Sequence, residues 1–201
     1  MTNLFSQISE LTPNLHGWAT VEKAITLASA VIALRPEIVL EVGIWGGRSI
    51  LPMGLACKEL GRGKVIGVDP WSAVASIQGQ VPANAQWWGS QAQHDQVYFD
   101  FMEKRGTLGL NDVIAVERMT SDYFEPPKTI NLVHIDGNHG PQAIKDAQKF
   151  GPLIPVGGLM ILDDLQWEGG NVLKAMDCLR LMGFVELYPL ETGVVLQRIS
   201  R

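Results

Sequence analysis

The chain has 201 residues, of which 46% are hydrophobic and 18% charged, and its formal net charge is -5. This size and composition fit one globular domain large enough to enclose a ligand pocket. The negative charge, with no cluster of basic residues, excludes nucleic acid as the expected partner and favours a small molecule. The longest apolar stretch, residues 24–34, is about half of a membrane span, so we expect a soluble, cytoplasmic protein without membrane contact.

Short β-rich runs alternate with helical stretches along the chain, which is typical of a largely parallel α/β sheet. The first clear helix is Val21–Leu34, whose apolar residues have helical spacing and which ends before a proline. The predicted strands that follow are Ile38–Val42, Lys64–Val68, 112–116, 130–135 and 158–162, and the predicted helices among and after them are 49–60 and Asn171–Leu181. These segments predict one continuous sheet covered by helices.

Two further strands, 183–188 and 194–198, are separated by a short turn and predict a closing antiparallel hairpin. The fold class is therefore α/β, with a Rossmann-like, seven-stranded, mostly parallel sheet, helices on both faces and a C-terminal hairpin. We expect residues 1–201 to form a single domain. The segment 72–110 is too long for an ordinary connection and rich in aromatic residues, so we expect it to form a lid.

A glycine turn follows the first predicted strand and contains Gly43, Gly46 and Gly47. In open α/β sheets, ligands bind beyond the carboxyl ends of the strands, where such a turn and the next helix N-terminus approach them. Trp45 stands where the dinucleotide fingerprint needs its second glycine, so a dinucleotide fits poorly. The alternative is that the glycines only permit a tight turn.

Asp69 ends the second predicted strand, where a carboxylate can accept hydrogen bonds from both hydroxyls of a ribose. That chemistry serves NAD as well as other nucleosides, so Asp69 alone does not identify the cofactor. Trp71, two residues later, has two interpretations: it stacks on an adenine ring, or it belongs to the core.

Three carboxylates follow the fourth and fifth predicted strands: Asp136 after the fourth, and Asp163 with Asp164 after the fifth. The ends of adjacent parallel strands would bring them together. Because three converging carboxylates repel one another, a bound hard cation, by default Mg²⁺, is their simplest explanation. The alternative is that Asp136 and Asp163 are ordinary strand-end acids that cap helices.

The spacing Glu41-x-Gly43-x-x-x-Gly47-x-Ser49 resembles the first motif of class I S-adenosylmethionine (SAM) dependent methyltransferases. Residues 39–166 resemble the metal-dependent small-molecule O-methyltransferases, particularly the macrocin O-methyltransferase and cephalosporin-hydroxylase-like group, and more distantly catechol O-methyltransferase. In these relatives the matching acids bind the metal, which implies Asp136, Asp163 and Asp164 as ligands. The Asp-Asp pair departs from the Asp-Asn of the catechol enzymes and the Glu-Asp of the macrocin group, so the metal's identity stays open. The residues implied in SAM binding are Glu41, Gly43, Trp45, Gly47, Ser49, Asp69, Trp71 and Asp136.

His139 lies three residues after Asp136, where the wider family carries a lysine or histidine that removes the acceptor's proton. Histidine titrates near neutral pH and suits this role. The alternative is that His139 only hydrogen-bonds the carboxylates while the metal activates the acceptor. We interpret His134, inside an apolar strand, as a hydrogen-bonded core residue.

The resemblance implies methyl transfer from SAM to a hydroxyl group of a sugar, catechol or phenolic metabolite, assisted by a divalent metal. Two alternatives remain. The first is a metal-dependent hydroxylase, although its iron sites usually need histidine ligands and only His139 is near. The second is a non-catalytic SAM-binding protein, because fold does not dictate function. The sequence does not identify the acceptor, and it is compatible with a monomer and with a homo-oligomer.

Overall fold

The computed structural model describes residues 2–200 and contains helices interleaved with seven strands. The helices are α1 (Thr2–Leu11), α2 (Val21–Leu34), α3 (Ile50–Leu60), α4 (Ala73–Ser76), α5 (Pro82–Gln86), α6 (His94–Thr107), α7 (Pro141–Phe150) and α8 (Asn171–Leu181). The strands are β1 (Ile38–Val42), β2 (Lys64–Val68), β3 (Ile114–Glu117), β4 (Leu132–Ile135), β5 (Leu159–Leu162), β6 (Phe184–Leu190) and β7 (Gly193–Arg198). Single turns of 3-10 helix lie at Thr12–Asn14 and Gly151–Leu153, and a π-helical turn at Trp87–Gln91.

The strands form one sheet in the order β3-β2-β1-β4-β5-β7-β6. The first five strands of that order run parallel, and β7 is antiparallel to both β5 and β6. The predicted fold class, including the closing hairpin, is therefore confirmed. The strand order changes direction between β1 and β4, and ligands of open α/β sheets bind at such a switch point.

The predicted boundaries of α2, β1, β2 and α8 match the structure residue for residue, while two strands begin two residues later than predicted. Leu110 O accepts hydrogen bonds from the N–H groups of Val113 and Ile114, which keeps the chain in a turn until β3 begins. The Asn131 side chain accepts from the N–H groups of Glu37 and Ile38, and the paired register of β4 with β1 begins at Leu132.

Helices cover both faces of the sheet, as predicted. One core contains Ile8 of α1, Leu27 of α2 and Leu51 of α3, all fully buried. The other contains Phe150 of α7 and Leu179 of α8. Separate apolar layers thus cover the two faces of the sheet, and the ends of the strands remain accessible to a ligand.

The segment 72–110 is mostly helical, and its two halves differ. Phe101 of α6 is buried in the first core, so the second half belongs to the body of the domain. The first half, from α4 through the π-helical turn, has no buried residue. A lid role is thus a proposal for the first half only. Within residues 2–200 we find no helix both long and apolar enough to cross a membrane.

Candidate functional site

A cavity of about 590 Å³ lies at the carboxyl ends of the strands, around the switch point between β1 and β4. Residues from several strand ends line it: Gly43 and Trp45 after β1, Asp69 after β2, Asp136 and His139 after β4, and Asp163 and Asp164 after β5. The sheet therefore brings together residues that the sequence analysis identified separately.

Two glycines of the turn serve different purposes. Gly43 has φ +88°, and a Cβ there would lie 2.3 Å from the carbonyl oxygen of Asp136, so only glycine lets the ends of β1 and β4 meet. A Cβ on Gly47 (φ +87°) would lie 2.7 Å from the Phe101 ring. Gly43 lines the cavity, whereas Gly47 lies behind it and makes room for α6.

Asp69 holds the glycine turn in place as well as lining the cavity. Its Oδ2 accepts hydrogen bonds from the N–H groups of Ile44 (2.8 Å) and Trp45 (3.0 Å), and its Oδ1 accepts from that of Trp71 (2.7 Å). Burial raises the pKa of this carboxyl, and the three N–H donors oppose that shift. Trp45 adopts a left-handed φ of +46°, a conformation that costs a non-glycine residue roughly 1–3 kcal/mol.

Trp71 is a core residue. Its ring is 3% exposed and packs against Tyr98 and Phe101, and its Nε1–H donates to Trp45 O. It is not among the residues that line the cavity. Of its two interpretations, the structure shows the core position, and the residue buttresses Trp45 from behind.

Glu41 and Ser49 lie beneath the glycine turn. The Ser49 hydroxyl donates to Glu41 Oε1, and His134 Nδ1 lies 3.4 Å from Glu41 Oε2. Glu41 and His134 are fully buried, and burial raises the pKa of Glu41 to about 8 and lowers that of His134 to about 3. Ser49 borders the cavity, but Glu41 does not, so any effect of Glu41 on a cofactor passes through the turn.

The three predicted carboxylates do converge, but a lysine lies among them. The Nζ of Lys23, from the first turn of α2, donates to Asp163 Oδ2 and lies 3.7 Å from Asp136 Oδ2. Asp164 lies on the other side of the cluster, with φ +51° and an Oδ1 that is 2.8 Å from the Thr192 hydroxyl. The ion pair with Lys23 thus offsets part of the repulsion among the carboxylates.

His139 is held at the edge of the carboxylate cluster. Its Nε2 lies 3.2 Å from Asp164 Oδ2, and its ring packs 4.7 Å from that of Trp167. The hydrogen bond from His139 lowers the pKa of Asp164. His139 thus lies beside the carboxylates with its ring fixed, as either of its two predicted roles requires.

Four tryptophans form an aromatic surface on the cavity wall. Trp45 packs against Trp18, Trp87 and Trp88, with ring centroids 4.9–6.4 Å apart. All four line the cavity, and Trp18 remains 66% exposed. Trp87 and Trp88 come from the predicted lid segment, so that segment contributes directly to the cavity wall.

Lys23 and Thr192 contact the carboxylate cluster and were missed by the sequence analysis. Lys23 shares one helical stripe with the buried Leu27 and Val31, and a lone lysine on an apolar stripe signals a buried charge with a partner. Thr192 lies in the turn between β6 and β7, which was predicted as a turn without a role.

A second polar group lines another wall of the same cavity. Asp146 of α7 is 1% exposed and accepts hydrogen bonds from Ser121 Oγ (2.6 Å) and Gln142 Nε2 (3.0 Å). Burial raises the pKa of its carboxyl to about 6. These three residues lay outside the motifs recognised in the sequence, since Asp146 follows Asp136 by ten residues inside a helix.

Comparison with known proteins places this geometry in a family. A family model described as a methyltransferase domain matches residues 40–165. Among solved structures, the O-methyltransferase from Bacillus cereus in complex with SAH is 13% identical to this chain, with a TM-score of 0.62. The superposition covers 98% of this chain and 91% of the B. cereus chain. TomG from Streptomyces achromogenes, involved in tomaymycin synthesis and solved with SAM, is 11% identical with a TM-score of 0.63, covering 98% and 90%. The O-methyltransferase NovP is 15% identical with a TM-score of 0.69, covering 90% and 81%.

No curated protein matches the chain significantly. The structural likenesses support the fold, and the family model covers more than half of the chain, from the middle of β1 to just beyond β5. The methyltransferase predicted from the glycine turn and the strand-end acids is therefore confirmed. The chain belongs to the methyltransferase domain family.

Proposed function

We propose that the protein transfers the methyl group of SAM to a hydroxyl group of a small molecule, with the help of a divalent cation. The observation that carries the proposal is a single cavity in which the glycine turn and Asp69 face Asp136, His139 and Asp164. Its volume of about 590 Å³ is in the usual range for small-molecule sites, roughly 300–1,000 Å³. Neighbours named as O-methyltransferases, solved with SAM or SAH, support the choice of cofactor and acceptor group.

SAM binding is assigned to the turn after β1 and to the end of β2. The free edge of the Asp69 carboxylate accepts the ribose hydroxyls, while its N–H partners from Ile44 and Trp45 hold it in orientation. Gly43 and Asp136 meet at the switch point and border the methionine portion. Glu41 and Gly47, which lie behind the turn, support it without touching the cofactor.

The donor set fits a hard divalent cation. Carboxylate oxygens of Asp136 and Asp164 lie within 4.8 Å of each other, with a ring nitrogen of His139 equally near. Carboxylate oxygens are the usual Mg²⁺ ligands, and Mg²⁺ often binds through one or two carboxylates. A cation bound there supplies electrostatic stabilisation for a deprotonated acceptor oxygen.

Methyl transfer is an in-line displacement in which the acceptor oxygen forms a bond to the methyl carbon. The carbon–sulfur bond breaks, and the sulfur keeps its electron pair. His139 receives the hydroxyl proton: with Nε2–H donated to Asp164, Nδ1 is the nitrogen that accepts it. Positioning of the two reactants supplies much of the rate.

The acceptor packs against the aromatic surface of Trp18, Trp45, Trp87 and Trp88, which suits ring-bearing compounds. Sugars, catechols and phenols remain the candidate classes. The first half of segment 72–110, which carries Trp87 and Trp88, acts as the cover of the acceptor.

The experiment is an acceptor screen with SAM and Mg²⁺, followed by mass spectrometry and by NMR of the product. We expect one acceptor class to gain a methyl group on oxygen, and reactions without SAM serve as controls. A methyl group on nitrogen or carbon would contradict the proposed acceptor. SAM binding without turnover on any acceptor would indicate a non-catalytic binding protein, and an added oxygen atom a hydroxylase.

A further inference from the structure

Lys23 is a buried lysine at the bottom of the site. Lys23 is 2% exposed and lies on the same buried face of α2 as Leu27 and Val31. Burying an ammonium group is costly unless it is paired, and Lys23 is paired with Asp163, 140 residues away in sequence. Its Nζ also lies 3.7 Å from Asp136 Oδ2. A fixed positive charge is thus part of the carboxylate cluster.

The carboxylate of Asp163 is occupied by donors from the protein. Its Oδ2 accepts from Lys23, and its Oδ1 accepts from the N–H of Asp164 at 3.0 Å, with the Thr192 hydroxyl 3.1 Å away. The residue is only 6% exposed. A cation that bound Asp163 would compete with these donors and would lie next to the Lys23 ammonium, and both effects are costly in a buried site.

Asp136 and Asp164 are more accessible than Asp163, because their side chains remain 24% and 29% exposed. Their carboxylates and the His139 ring form a group of mutually close ligand atoms. Among residues 2–200, the other such group near the site joins Asp163 with Asp136 and the fully buried His134, and it is the one that contains the Lys23 contact. Within the described residues 2–200, no group holds all three aspartates.

The net charge of the carboxylate cluster also favours a bound divalent cation. Three carboxylates and one ammonium leave the cluster a net charge of about -2, which a divalent cation neutralises. We propose that Lys23 is the internal counter-ion of Asp163, an inference that rests on the proposed function. Lys23 removes Asp163 from the metal-ligand set, and the divalent cation is held by Asp136 and Asp164 beside His139. Lys23 is a positioning residue in this arrangement.

Calorimetric titration with Mn²⁺, without SAM or acceptor, tests the proposal. Lys23→Gln removes a positive charge next to the cation and should tighten Mn²⁺ binding on the order of tenfold. Lys58→Gln, the same substitution at an exposed lysine that contacts Leu108 O, should leave Mn²⁺ affinity unchanged. Unchanged or weaker binding by folded Lys23→Gln, checked by circular dichroism, overturns the proposal.

A double variant covers the case in which Lys23→Gln does not fold. Lys23→Gln with Asp163→Asn replaces the ion pair by two amides and keeps the net charge of the cluster. We expect it to bind Mn²⁺ within about threefold of the wild type, because Asp163 is not a ligand. A loss on the order of tenfold or more would make Asp163 a ligand and overturn the proposal.

Asp136→Asn separates failure of this inference from failure of the proposed function. It should abolish Mn²⁺ binding, and retained binding would place the cation elsewhere and overturn the inference. If the wild type binds no Mn²⁺ but still methylates an acceptor, both the metal part of the proposed function and this inference fail, and methyl transfer stands. If the wild type binds Mn²⁺ as expected but no acceptor is methylated, the inference stands alone.

Discussion

Glu41 and His134 face each other across the neighbouring strands β1 and β4, with 3.4 Å between Glu41 Oε2 and His134 Nδ1. Both side chains are fully buried, and burial keeps both uncharged, with the pKa of Glu41 raised to about 8 and that of His134 lowered to about 3. The pair is therefore a neutral contact under the site, and its titration affects stability.

The sign of the effect follows from where protons bind. Between pH 4.5 and about 8, Glu41 is ionised when unfolded but protonated when folded, so the free energy of unfolding falls as pH rises. His134 acts in the opposite direction between about pH 3 and 6.5, where only the unfolded chain binds its proton. The two effects oppose each other below pH 6.5, and the effect of Glu41 remains alone from there to about pH 8.

We therefore predict that Glu41→Gln becomes more stable relative to the wild type as pH rises from 6.5 to 8. The difference in free energy of unfolding should grow by about 1 kcal/mol per pH unit. Urea unfolding at a series of pH values measures it, and Glu22→Gln, at an exposed position, is the control. Parallel curves for wild type and Glu41→Gln would show that Glu41 is ionised in the folded protein.

Asp69→Ala should weaken SAM binding by roughly 1.5–3 kcal/mol, because it removes the carboxylate that we propose as acceptor for the ribose hydroxyls. It should also lower thermal stability, since the N–H groups of Ile44, Trp45 and Trp71 lose their acceptor. Calorimetry and thermal unfolding give the two effects separately, with exposed Asp112→Ala as control. A destabilised variant with unchanged SAM affinity would restrict Asp69 to supporting the turn.

Removing divalent cations with excess EDTA should reduce methyl transfer at least about tenfold and leave SAM affinity unchanged, because the cation acts on the acceptor. Adding back Mg²⁺ should restore activity. Asp164→Asn should reproduce the loss and should not be rescued by Mg²⁺. Full turnover in EDTA would show that the carboxylates and Lys23 act without a metal.

His139→Ala should lower turnover by about 10²–10⁴-fold, the usual effect of losing a positioned base, with little change in SAM affinity. His139→Lys should recover part of the activity, because the family resemblance implies that lysine can serve as the base at this position. Trp167→Ala, which removes the ring against His139 but no proton acceptor, should have a smaller effect. Near-normal turnover in His139→Ala would transfer activation of the acceptor to the cation.

The sequence predicted the sheet and the convergence of the acids because both follow from the order of the strands. Asp136 and Asp163 end neighbouring parallel strands, so local patterns were enough to place them. Lys23 could not be placed in this way, since its partner Asp163 belongs to another element and the contact exists only after α2 packs on the sheet. For Trp71, the sequence fits a ring in a pocket and a ring in a core equally well, and only packing against Phe101 decides.

The most direct test of the cofactor site is calorimetric titration of the wild-type protein with SAM, SAH and NAD. We expect SAM and SAH to bind and to raise the melting temperature, because a ligand selective for the folded state stabilises it by mass action. NAD should not bind, because Trp45 stands where a dinucleotide needs glycine. Binding of NAD without binding of SAM would contradict the assignment of the glycine turn and of the whole cavity.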